Sequence, residues 1–148
     1  MNKPTLFLRI AAVLTLIHAV LHTVGGVFGK VGPGPASVAA EAMRANLFIT
    51  MGHVRSFWVF YRGLGLGISI FLTAEAVVFW QLGTLAKADA RRLRPLIVTF
   101  LFAYLVLAIN SQTYFFFGPV IAEILIAACL ATAIMTASPE IPAHAGTA

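Results

Sequence analysis

Four long apolar runs constrain the fold of this chain more than any other feature. They cover residues 6–28, 57–82, 95–112 and 117–136, and a helix needs about 20 apolar residues to cross the roughly 30 Å hydrocarbon layer of a membrane. Since a backbone in lipid must satisfy its own hydrogen bonds, each run is expected to be helical. The sequence predicts an all-α, polytopic membrane protein, a four-transmembrane-helix bundle forming one domain over residues 1–148.

Composition agrees with a membrane location. Of 148 residues, 60% are hydrophobic and 10% are charged, which leaves too little polar surface to cover a soluble domain of this size. The first run is longer than the apolar part of a signal peptide, about 7 to 15 residues, so we expect it to remain as a helix.

Basic residues indicate the orientation of the helices. Because Lys and Arg accumulate on the cytoplasmic side, six of them against four predict that both termini are cytoplasmic. The net charge of +5 lies in short connections, so it indicates contact with membrane lipids and no nucleic-acid partner. The larger group is Lys3, Arg9, Lys87, Arg91, Arg92 and Arg94, and the smaller group is Lys30, Arg44, Arg55 and Arg62.

The connections differ in length and character. After the turn-rich "GKVGPGP", Ser37 is a candidate cap for a helix through "VAAEAMRANLFITM", and we expect the segment 37–54 to lie at the membrane interface. The uncharged "SQTYFFFGP" predicts a tight hairpin between the last two helices. The tail, residues 138–148, is short and contains proline.

Polar side chains recur towards one end of the predicted bundle. His18 and His22 are four residues apart and share a face of the first helix, and the predicted topology gives Arg62 and Glu123 a similar depth. An ionisable residue in a membrane helix costs roughly 2.5 to 3.5 kcal/mol, so several at one level indicate a polar network or a pocket in the outer half of the bilayer. The candidates are His18, His22, His53, Arg62, Asn110, Gln112, Tyr114 and Glu123.

Small residues predict where helices approach closely. Gly63 and Gly67 form a small-x-x-x-small step in the second helix, of the kind that lets two helix backbones touch. A bundle of this size leaves much small-residue surface to bury, which favours a homo-oligomer or a subunit of a membrane complex.

The polar cluster has three interpretations. It is a hydrogen-bond network that joins helices, a metal site, or a ligand pocket. For a metal, His18 and His22 supply two nitrogens one turn apart, and His53 or Glu123 would supply a third ligand, although "HExxH" is absent. Haem would need His53 together with one of the other two histidines.

In the pocket interpretation, the ligand is a lipophilic small molecule with a polar head. Arg62 would either reach lipid head groups or turn inward to hold that head. If chemistry occurs, His18, His22 and Glu123 are the candidate acid and base. The predicted ligand-binding residues are His22, Tyr61, Arg62, Asn110, Gln112 and Tyr114.

The sequence identifies neither a cofactor nor a reaction. It contains no nucleophile motif or phosphate loop, and "GLGLG" lies inside an apolar run, where it indicates close packing rather than nucleotide binding. The leading hypothesis is therefore binding of a lipophilic molecule, with a structural subunit or a small oligomeric carrier or proton pathway as the alternatives.

Three segments, "LHTVGGVFG", "FWVFYRGLGLGISIF" and "AINSQTYFFFGP", resemble a family of small bacterial four-helix integral membrane proteins. In that family, His-x-x-Gly-Gly ends helix one and an aromatic-Tyr-Arg-Gly element opens helix two. The resemblance covers residues 6–136 and implies a bacterial inner membrane location, but it carries no assigned activity. The matching positions are His22, Gly25, Gly26, Tyr61, Arg62 and Gly63.

Overall fold

The structure is a computed structural model that describes residues 2–137, a chain that is almost entirely helical. The predicted tail lies outside the described residues. In chain order the elements are α1 (Lys3–Leu21), which continues as one π-helical turn (His22–Val27), α2 (Pro35–Ala45), β1 (Leu47–Thr50), β2 (His53–Ser56), α3 (Phe57–Asp89), α4 (Arg94–Tyr114) and α5 (Phe117–Thr136).

Four helical segments are long and apolar enough to cross a membrane, which confirms the predicted number. They are Lys3–Val27, Phe57–Asp89, Arg94–Tyr114 and Phe117–Thr136. The predicted end of the second helix, residue 82, was too early, because Leu, Ala and Lys in "GTLAKAD" favour helix. With 33 residues, α3 is about 50 Å long and exceeds the roughly 30 Å thickness of the hydrocarbon layer.

The chain forms two compact units. Among the described residues, the first unit contains residues 2–15 and 76–137, and the second contains Leu16–Glu75. Both α1 and α3 contribute residues to each unit, because the boundary falls within these helices.

The core of the first unit is a bundle with buried residues from all four long helices. Phe79 lies at its centre, with the Phe100 ring at 5.0 Å and 81° to its own, an edge-to-face arrangement that aromatic pairs favour. Thr15 and Tyr104 place their buried hydroxyls 3.5 Å apart. The buried core residues are Leu8, Ala11, Ala12, Phe79, Leu82, Ala86, Ile97, Tyr104, Ile126, Ala127, Leu130 and Ala133.

The α4–α5 connection is the predicted tight hairpin. Only Phe115 and Phe116 separate the two helices, and Phe116 is extended, with φ −133° and ψ 175°. Pro119 lies in the first turn of α5, where a backbone N–H would have no partner within the helix.

In the second unit, the connection between α1 and α3 differs from its prediction. The helix α2 ends at Ala45 instead of continuing to residue 51, and Ser37 is not its cap. Gly34 precedes the helix, and the Ser37 hydroxyl donates back to the Gly34 carbonyl at 2.8 Å.

A β-hairpin replaces the second half of the predicted interfacial helix. Antiparallel strands β1 and β2 pair Leu47 with Ser56 and Ile49 with Val54, because aromatic and β-branched residues in "LFIT" favour a strand. Met51 and Gly52 form the turn with positive φ angles of 46° and 78°, as a type I′ turn requires.

Candidate functional site

The π-helical turn at the end of α1 is the local feature on which the site is built. Phe28 N donates to Thr23 O at 3.0 Å, five residues earlier, so the turn is wider than an α-helical one. Gly25 and Gly26 lie in it. Single π turns inside helices are rare and frequently occur at functional sites.

His22 joins this turn to α3. Its Nε2 lies 3.1 Å from the carbonyl oxygen of Gly65, and because a carbonyl only accepts, Nε2 carries the hydrogen. Its other nitrogen, Nδ1, lies beside Gly26, where an added Cβ would be 3.5 Å away. His22 is therefore held by a helix backbone.

Tyr61 and Arg62 bring the start of α3 to the same turn. The Tyr61 hydroxyl donates to Gly26 O at 3.3 Å, and the Arg62 guanidinium carbon lies 4.7 Å from the centre of the Phe28 ring, within cation–π range. The two elements of the family resemblance, one ending α1 and one opening α3, thus contact each other.

The close approach of these helices depends on Gly65 and not on the predicted pair. A Cβ at Gly65 would lie 2.8 Å from Val27 Cγ2, whereas at Gly63 or Gly67 it would meet no described atom within 4 Å. Rotation of 100° per residue puts Gly65 on a different face.

Two hydroxyl residues complete the contact: Thr23, which was not among the predicted residues, and Ser69, which the sequence places on the same stripe of the second helix as Arg62. Thr23 donates to Ser69 Oγ at 2.8 Å, and Ser69 donates to Gly65 O at 3.2 Å. Their positions in the sequence indicate this role, because Thr23 follows His22 directly and Ser69 lies one helical turn after Gly65.

A basic cleft of about 640 Å³ lies next to this contact, entirely within the second unit. Three cationic side chains, Lys30, Arg44 and Arg62, and one acidic side chain, Glu41, line it. The Arg44 guanidinium carbon lies 4.0 Å from the centre of the Trp58 ring. The remaining lining residues are Val27, Phe28, Gly29, Val31, Ser37 and Trp58.

The cleft contains only one residue of the predicted site, Arg62. Lys30 and Arg44 are among the basic residues that indicate the orientation of the helices. Trp58 precedes Arg62 by four residues in α3, a spacing that puts both side chains on one helix face, whereas Glu41 has no such relation to Arg62. Arg62 is half-buried and lines the cleft, with its guanidinium group over the Phe28 ring.

The predicted metal ligands do not form a metal centre. Among residues 2–137, no three His, Cys, Asp or Glu side chains are placed to hold a metal ion. His53 is exposed at the start of β2. His18 is half-buried, and its Nδ1 is buried without a hydrogen-bond partner in the described part of the chain.

The other predicted polar residues belong to the first unit. Glu123 is 2% exposed and accepts a hydrogen bond of 2.8 Å from Ser111 Oγ at its Oε1 atom. Asn110, Gln112 and Tyr114 are exposed on α4. Ser111, flanked by two predicted residues, is thus the α4 side chain that meets the carboxyl group.

The His22 contact yields a direct prediction. His22→Ala removes the bond to Gly65, so the free energy of unfolding should fall by about 0.6 to 2 kcal/mol, as for polar contacts between membrane helices. Thermal unfolding in detergent measures this. The exposed His53→Ala should melt like the wild type, and equal melting of both variants would show that the His22 bond contributes nothing.

The four membrane-length helices and the basic cleft define the class: a helical membrane protein with a cationic cleft between the end of one membrane-length helix and the start of the next. No family model, curated protein or solved structure matches this chain.

Proposed function

We propose that this protein resides in the bacterial inner membrane and binds a lipophilic small molecule whose anionic head occupies the basic cleft. Both termini would be cytoplasmic, which places the cleft at the outer side of the bilayer. The observation that carries the proposal is the set of three cations and one carboxylate around a cavity of about 640 Å³.

The charge of the cleft favours an anion. Lys30, Arg44 and Arg62 exceed the single Glu41 carboxylate by two positive charges. Arginine presents a planar fork of N–H donors that fits carboxylate and phosphate oxygens, and such charge-assisted hydrogen bonds are among the strong ones. A carboxylate or phosphate head therefore suits the cleft better than a neutral one.

Aromatic rings position two of the donors. Trp58 lies under Arg44 and Phe28 under Arg62, so ring contacts hold each guanidinium while its N–H edge stays available to a ligand. Val27, Val31 and the same rings supply apolar surface for the part of the ligand next to the head.

His22 and Tyr61 act as positioning residues in this proposal. Both bond to backbone carbonyls, at Gly65 and Gly26 respectively, and they hold the end of α1 against α3. The lining residues Val27, Phe28 and Gly29 come next along the chain. The shape of the cleft therefore depends on this contact.

The test is mass spectrometry of small molecules retained by the gently purified protein. Arg62→Gln should lower retention of a bound lipophilic anion by roughly 10- to 150-fold, the equivalent of about 1.5 to 3 kcal/mol for a hydrogen bond to a charged group. Arg91→Gln, in the α3–α4 connection and outside the cleft, should retain it like the wild type.

Two results would contradict the proposal: a wild-type protein without any stoichiometric organic anion, or an Arg62→Gln variant that retains it fully.

A second candidate, a structural subunit of a membrane complex, is favoured by the bonds of His22, Tyr61 and Thr23 to neighbouring helix groups. It predicts an empty protein whose His22→Ala variant melts earlier.

A further inference from the structure

The β1–β2 hairpin carries three exposed apolar side chains on one face. Leu47, Ile49 and Val54 are 66%, 77% and 58% exposed, and the pairing of Ile49 with Val54 and of Leu47 with Ser56 puts all three on one side. Contiguous apolar patches of this kind on a protein surface mark contact with a partner or a membrane.

The opposite face of the hairpin is the one that packs on the protein. The Phe48 ring lies 5.0 Å from that of Phe57 and 6.0 Å from that of Phe60, both in the first turn of α3. Since side chains alternate along a strand, this contact directs Leu47 and Ile49 away from α3.

The turn residue Met51 strengthens the case for a partner. Its φ of 46° lies in the left-handed region, where Asn, Asp or Gly would cost less. Its side chain is 98% exposed, so no internal contact offsets that cost. An unusual residue type at a strained and exposed position indicates a function outside the fold itself.

The position of the hairpin identifies the bilayer as the partner. β2 ends at Ser56 and α3, a helix of membrane-spanning length, begins at the next residue. Trp58 and Tyr61 in its first two turns are residue types that accumulate at the head-group level. Arg55 adds a cation on the hairpin itself, which suits anionic head groups.

We propose that the hairpin inserts Met51 and the face formed by Leu47, Ile49 and Val54 into the boundary between head groups and acyl chains. Each strand has four residues, which offers a second copy of the chain only a short edge for pairing. The lipid surface next to α3 needs no such edge. This inference does not depend on a ligand in the cleft.

Site-directed fluorescence tests the insertion. In a Cys129→Ala background, the only native thiol is removed, and Met51→Cys and Ile49→Cys each accept a polarity-sensitive dye. The labelled proteins are placed in nanodiscs of phosphatidylcholine and phosphatidylglycerol. We expect strong quenching by lipids spin-labelled near the head-group end of the acyl chain, and little quenching by aqueous iodide.

His53→Cys is the matched control, because His53 is exposed and pairs with Thr50 on the other face of the hairpin. Its dye should be several-fold more sensitive to iodide than the dye at position 49 or 51. Equal iodide quenching at all three positions would overturn the proposal. Disulfide-linked dimers of Met51→Cys, with no lipid quenching, would overturn it in favour of a second copy.

Discussion

Gly29→Ala is expected to lower the free energy of unfolding by about 3 kcal/mol, the upper end of the usual cost of adding atoms to a packed site. A Cβ at this position would overlap the Gly25 carbonyl oxygen. Because the backbone fixes the position of a Cβ and the oxygen is itself a backbone atom, no side-chain rotation relieves the overlap, and the chain after the π turn must shift. Thermal or denaturant unfolding in detergent micelles measures the loss.

Gly25→Ala is the matched control for this variant. Gly25 lies in the π turn, four residues before Gly29, yet a Cβ there meets no described atom within 4 Å, so the melting temperature of Gly25→Ala should stay close to that of the wild type. If both variants melt together, the turn does not close on the Gly25 carbonyl. Since Gly29 also lines the cleft, its variant should lose the retained anion as well.

Ser111→Ala should destabilise the α4–α5 pair by about 1 to 3 kcal/mol, the cost of leaving a buried polar group without its partner. Ser111 and Glu123 are 3% and 2% exposed, and their 2.8 Å bond links the two helices. The second carboxyl oxygen, Oε2, has no hydrogen-bond partner within residues 2–137. Unfolding in detergent is again the measurement.

A double variant separates the bond from the packing. Ser111→Ala with Glu123→Leu replaces both partners by apolar groups, which is nearly neutral where a single loss is costly, so most of the stability should return. Thr113→Ala serves as a control, because that hydroxyl is exposed and bonds to Ile109 O in its own helix at 2.9 Å. If Ser111→Ala leaves the free energy of unfolding unchanged, burial of the Glu123 carboxyl group does not depend on its bond to Ser111.

The structure gives the two histidines of the first helix different environments. His22 donates to the Gly65 carbonyl, a contact between helices, and this explains why an imidazole is tolerated in an apolar run. His18 Nδ1 is buried without such a contact in the described chain. The four-residue spacing indicated a shared helix face, but it did not indicate that only one ring would find a backbone acceptor.

The number of membrane-length helices and most of their ends followed from the sequence alone. A run of about 20 apolar residues is long enough to span a membrane and must be helical there, so local composition is sufficient. The α4–α5 hairpin followed from the same composition. Two apolar runs that lie this close together leave only Phe115 and Phe116 between the helices.

The contacts between helices required the tertiary structure. Whether Gly65 or its neighbours Gly63 and Gly67 meets α1, and whether Ser111 or Asn110 meets Glu123, depends on the rotation of each helix about its axis. A shift of one residue turns a side chain by 100°. Helices that are apolar on most sides carry little periodicity from which that rotation can be predicted.

The sequence by itself determined how many helices can enter the membrane and most of their ends, because burial in lipid depends on the composition of each segment. Only the tertiary structure decided the π turn, the β1–β2 hairpin and the basic cleft. The cleft gathers side chains from three parts of the chain, which are residues 27–31 at and after the π turn, Ser37, Glu41 and Arg44 of α2, and Trp58 and Arg62 of α3. The charge of the cleft depends on how those elements fold against one another, which cannot be predicted from the pattern of residues within any one of them.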